Sequence, residues 1–135
     1  MAKTEKRRSR GQGPLDGKTS RLPRQIELAV HAAEDKKAEQ LTILDLRRAA
    51  GFTDYFVIAS GNNTRQVRAI ADAVIDALGA TGAKPAHVEG YDRSEWILID
   101  YFDFIVHVFA PETRMFYGLE RLWGNAERVE VSVAT

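Results

Sequence analysis

The chain has 135 residues, 44% of them apolar, with nineteen Lys or Arg balanced by nineteen Asp or Glu and no cysteine. That length suits one domain with a buried core, and the missing cysteine excludes disulfides, thiolate zinc sites and a cysteine nucleophile. The neutral total hides an asymmetry: residues 1–24 hold eight basic against two acidic side chains, and the remainder holds eleven against seventeen.

The chain therefore begins with a cationic leader attached to an acidic domain. Such a leader can attract RNA or an acidic surface, and it can equally be a solvated extension. Gly11, Gly13, Pro14 and Gly17, with almost no apolar residue between them, predict disorder over residues 1–22. No run is apolar enough to span a bilayer and no secretory signal is visible, so the expectation is a cytoplasmic protein without a membrane partner.

Pro23 can open a helix, in which Ile26, Ala29, Val30 and Ala33 form an apolar stripe that fades near Lys37. "LTILDL", Leu41 to Leu46, reads as a strand, and "GFTD" as a turn pivoting on Gly51. "YFVIAS", Tyr55 to Ser60, is apolar almost throughout, as expected of a strand covered on both faces. Val67, Ile70, Ala71, Val74, Ile75 and Leu78 then recur at helical spacing, with Asn63 and Gln66 placed as a capping box.

"AKPAHVEG" predicts a short strand ended by a glycine turn, and "EWILID" and "DFIVHVF" predict an antiparallel hairpin. Pro111 cannot extend that ladder. "PETRMFYGLERLW" reads as a helix weakened at Gly118. "AERVEVSVAT" alternates but is short enough to be disordered. The sum is an α/β sandwich, with a mixed sheet of about five strands packed with helices. The expected organisation is a leader (1–22), one domain (23–124) and a C-terminal tail (125–135).

Chemistry has few candidates. Ser60, Gly61, Asn63 and Arg65 lie between a strand and a helix, where an anion can bind a helix N-terminus or the residues can simply cap it. Neither GxGxxG nor GxxxxGK[ST] is present. His31, His87 and His107 show no metal-ligand spacing, so neither a metal nor any other cofactor is expected. His107, in an apolar strand, invites orientation by Asp100 or Asp103 and a pKa shifted by burial. A Ser–His–Asp set through Ser60 or Ser94 lacks the GxSxG elbow. On a pleated strand Trp96, Leu98 and Asp100 share one face, while Ile97, Ile99 and Tyr101 share the other. Two apolar faces need two covers: helices of this domain, or on one side a partner.

Three segments resemble the ribosomal silencing factor family, also called the Iojap or RsfS family. They are "DYFVIASGNNTRQVRAIAD", "VEGYDRSEWILIDYFDFIVHVF" and "ETRMFYGLERLW", and the likeness covers about residues 23–124. The resemblance implies a fold similar to nucleotidyltransferases without that activity. It implies a translational repressor that binds the large ribosomal subunit at its ribosomal protein fourteen, blocks joining of the small subunit, and forms homodimers when free. It places Trp96, Leu98, Asp100 and the following strand near the partner contact, and Phe102, in the link between the strands, and His107 are taken with them. Asp54, Arg65, Glu89 and His107 match the family pattern. One departure is "DYFD", in which Phe102 stands where the family has glycine. The alternative reading is a metal-dependent nucleotidyltransferase or another enzyme of phosphate substrates at Ser60–Arg65.

Overall fold

A computed structural model describes residues 22–129. The leader expected to be disordered, all but its last residue, and residues 130–135 lie outside that range.

Helix α1 spans Arg24–Asp35 and starts directly after Pro23. Strand β1, Glu39–Asp45, leads to β2, Tyr55–Ser60. Helix α2, Thr64–Gly79, follows, then β3, His87–Glu89, β4, Trp96–Asp100, and β5, Phe104–Phe109. Helices α3, Pro111–Tyr117, and α4, Leu119–Leu122, precede the last strand, β6, Glu127–Val129.

The six strands form one mixed sheet in the order β3-β4-β5-β2-β1-β6. Only β2 and β5 run parallel; the other pairs are antiparallel. The central pair explains the continuous apolar runs. Every residue of β2 and of β5 is buried, because each has strands on both sides and cover on both faces.

Alternation divides the core. Ile43, Val57, Ile97, Ile99, Val106 and Val108 pack under α1 and α2 against Ile26, Ala29, Val67, Ile70, Val74 and Leu78. On the opposite face Leu44, Phe56, Ile58, Ile105 and Phe109 pack with Leu119, and with the partly exposed Trp96, Leu98 and Trp123. Among the described residues this second face has only the short α3 and α4 as helical cover.

Two expectations change. Among the described residues the sheet has six strands rather than about five, because Ile43 to Asp45 pair with Glu127 to Val129, inside the stretch read as a C-terminal tail. The helix predicted across Gly118 is instead broken there: Gly118 adopts φ +55, ends α3 and starts α4. Among the described residues no helix is long and apolar enough to cross a membrane.

Candidate functional site

Strand β4 sets out the site by its pleat. Ile97 and Ile99 point into the helix-covered core, which leaves Trp96, Leu98 and Asp100 half-buried on the other face. Their cross-strand neighbours are Phe109, His107 and Ile105. Around Trp96 the rings gather: Phe109 stacks on it at 4.9 Å, Tyr117 from α3 lies at 4.6 Å and His107 at 5.9 Å. The indole Nε1–H donates to His107 Nδ1 at 3.0 Å.

His107 is only 3% exposed, so it reaches this surface only through Trp96. Its ring partner is neither of the two aspartates expected. Asp100 Oδ1 accepts the Phe102 backbone N–H at 2.8 Å, shaping the β4–β5 turn, and Asp103 is exposed beyond it. Burial pushes the His107 pKa from 6.5 down to about 3. Above pH 6.5 the ring is neutral in both folded and unfolded chains. Below it the unfolded chain takes up a proton that the folded chain refuses, until the pH reaches about 3. Stability should therefore fall with acid through that window, His107 contributing up to about 1.4 kcal/mol per pH unit. Urea titrations of the parent and of His107→Asn across the window check this; identical acid slopes would refute it.

Phe102 follows Asp100 and Tyr101 at the tip of the hairpin. It has φ +71 and is 72% exposed. Its carbonyl accepts from Thr53 Oγ1 at 2.9 Å, tying the tip to the β1–β2 connection. A side chain in this left-handed region costs about 1–2 kcal/mol, whereas glycine costs roughly 0.5–1 kcal/mol through unfolded-chain entropy. Phe102→Gly should thus stabilise by about 0.5–1 kcal/mol, read from the urea midpoint, and a loss of stability would contradict the strain.

The residues expected at an anion or cap site lie apart, and Asn63 is the one that caps the helix. Ser60 is 4% exposed on the same sheet face as Trp96, and its Oγ accepts from Arg114 Nη1 at 2.8 Å. Asn63 Oδ1 accepts the Gln66 N–H at 2.9 Å, capping α2. Gln66 completes the box one residue early, accepting from the Asn62 N–H at 2.7 Å, while its Nε2 donates to the Lys36 and Lys37 carbonyls at 3.0 Å. Gly61 is needed because a Cβ there would sit 2.9 Å from the Val67 nitrogen. Arg65 is exposed on α2, the helix packed on the opposite side of the sheet from Ser60.

Ser94, fully buried, accepts from Arg68 Nε and donates to the Tyr91 carbonyl, so neither serine engages His107. His87 pairs with Glu89 on the edge strand. Among the described residues no group of three or more His, Asp or Glu is arranged to hold a metal ion.

Sequence reasoning missed Arg114 and Tyr117. Arg114, 7% exposed, donates to Ser60, to Thr42 Oγ1 at 3.2 Å and to Glu120 Oε2 at 2.5 Å. Burial works to raise the Glu120 pKa, but the hydrogen bond and charge of Arg114 outweigh it and hold the carboxyl below its ordinary value. This cluster pins α3 and α4 to the sheet and sets Tyr117 beside Trp96.

Comparison with known proteins agrees with the resemblance. The family model described as "Ribosomal silencing factor during starvation" matches residues 19–135. The ribosomal silencing factor RsfS of Halalkalibacterium halodurans is 42% identical over 106 residues, which is 78% of this chain and 91% of that protein. Its counterpart in Bacillus subtilis is 40% identical over 101 residues, 75% of this chain and 86% of that one. A crystal structure of a Chromobacterium violaceum protein superposes with a TM-score of 0.73 at 33% identity, covering 82% of this chain and 91% of that one. The chain belongs to the ribosomal silencing factor family.

Proposed function

We propose that the chain represses translation by binding the large ribosomal subunit with the Trp96–Leu98–Asp100 face and excluding the small subunit from it. Family membership supports the role. The observation that carries the choice of face is the partly exposed Trp96, held in a cluster of rings with Leu98 and Asp100 on the same pleat. Trp96 supplies an apolar anchor, and Asp100 a carboxylate for a basic partner. We take that partner to be ribosomal protein fourteen. An acidic domain approaches a basic protein more readily than bare RNA; the cationic leader is the segment suited to RNA.

Steric exclusion needs affinity and bulk, not turnover, and the chain is a silencing factor rather than an enzyme. We read the mixed sheet as nucleotidyltransferase-like in build only. The phosphate-enzyme alternative is disfavoured by Ser60 and Arg65, which work on opposite sides of the sheet. A homodimer of the free, cytoplasmic protein belongs to the same proposal. Met115, Phe116 and Leu122, exposed by 79%, 78% and 71%, offer it apolar area.

Sedimentation with purified subunits tests the function. The parent should travel with the large subunit and reduce its joining to the small one. Trp96→Ala should weaken binding by about 2 kcal/mol, roughly thirtyfold, and Asp100→Ala should add to the loss. Folding of each variant is checked by near-ultraviolet dichroism. If both folded variants bind and block like the parent, the face is wrong. A parent that binds only the small subunit sinks the function itself.

A further inference from the structure

We propose that His107 is the positioning residue of the recognition face: its buried Nδ1 takes the indole N–H of Trp96 from within the sheet, so that Trp96 meets the ribosome as a carbon surface. The inference rests on the face proposed above and adds what that face presents.

The geometry is specific. Strand pairing sets Trp96 opposite Phe109 and Leu98 opposite His107. The indole therefore leans along the neighbouring strand by one pleat to reach the imidazole, and the Nε1–Nδ1 distance is 3.0 Å. Accepting that bond requires a lone pair on Nδ1, which places the single proton of the neutral ring on Nε2. Among the described residues Nε2 is buried without a hydrogen-bond partner, so the imidazole has no competing polar contact to turn it. Phe56 closes against the ring at 4.4 Å and 75°, which holds its plane. An imidazole with one donor unmet persists in an apolar interior at a cost, and the one polar contact that it makes is the bond to Trp96.

The consequence concerns the partner. A tryptophan on a surface ordinarily brings an N–H that the other side must satisfy. Here that donor is already satisfied, and the rest of the partly exposed ring is carbon. The complementary pocket is therefore apolar, and an acceptor placed there would gain nothing. Polar recognition is left to Asp100, at the far end of the same strand face.

Exchange of the indole N–H, followed by NMR on protein with isotope-labelled tryptophan, tests this. Trp123 is the only other tryptophan and serves as reference. In the parent the Trp96 N–H should exchange about tenfold more slowly than a free indole, as one net hydrogen bond implies. His107→Phe keeps an aromatic ring but no acceptor; it should lose that protection and bind purified large subunits about tenfold more weakly. His107→Asn, whose oxygen lies near the Nδ1 position, should recover both.

Rapid exchange in the parent overturns the proposal whether or not the variants fold. A folded His107→Phe that loses protection yet binds like the parent also overturns it. A parent whose indole is protected but which ignores the large subunit fails by a different route, because there the proposed function is at fault.

Discussion

Arg114→Ala should destabilise the protein by about 3 kcal/mol and loosen the helices beside Trp96. Arg114 is 7% exposed and holds three oxygens at once, on Thr42 of β1, Ser60 of β2 and Glu120 of α4. Removing one member of a buried ion pair commonly costs about 3–5 kcal/mol, and the partial exposure of Glu120, 21%, argues for the lower end. The cut would leave a carboxylate at the sheet without its counter-ion. It would also free α3, whose Tyr117 ring flanks the indole. Urea unfolding gives the stability, and tryptophan fluorescence reports the release of the ring cluster. Arg114→Met combined with Glu120→Met should cost clearly less than Arg114→Ala, because no charge is then left unpaired. A single variant within about 1 kcal/mol of the parent would mean that the cluster is no clamp.

That cluster also marks a limit of what sequence can reveal. The hairpin was legible because "EWILID" and "DFIVHVF" are both short apolar runs, joined by a link too short to need a crossover. Helix α2 was legible because its apolar spacing and its Asn63 cap agree. Arg114 and Glu120 are six residues apart, a separation that does not face on a continuous helix. They meet only because Gly118 breaks the chain into two helices. Likewise Glu127 to Val129 look like a frayed end until β1 offers them an open edge.

Which residues of β4 share a face could be read from the pleat, but the partner of His107 could not. Both aspartates looked nearer in sequence. The winning contact crosses between strands, and Asp100 is already engaged by the Phe102 N–H. The residues grouped as an anion or cap site separate for a related reason: Asn63 caps α2, Ser60 turns to Arg114 on one side of the sheet, and Arg65 rides on α2 on the other.

Gly90→Ala should cost about 3 kcal/mol or more, and the damage should fall on β4, the strand proposed for recognition. Gly90 follows β3 and opens the turn to β4 with φ +79. A Cβ built there overlaps the carbonyl oxygen of Trp96. The left-handed conformation alone penalises alanine by about 1–2 kcal/mol, and forcing atoms into occupied space adds about 1–3 kcal/mol. The obstacle is backbone, not the far end of a flexible side chain, so relief requires β3 or β4 to move. The Gly90 carbonyl also accepts the Ser94 N–H at 2.9 Å, which closes the turn that delivers the chain to Trp96. Displacing Trp96 at the start of β4 would carry its indole away from His107 and Phe109. Large-subunit binding should therefore fall even under conditions where the variant remains folded. Gly79→Ala is the matched control: it ends α2, and an added Cβ meets nothing within 4 Å. There alanine should be neutral or stabilise by up to about 1 kcal/mol. Urea midpoints for the two variants, with sedimentation against the large subunit, decide the matter. Equal stability of Gly90→Ala and Gly79→Ala would show that the turn tolerates a side chain and does not fix the strand.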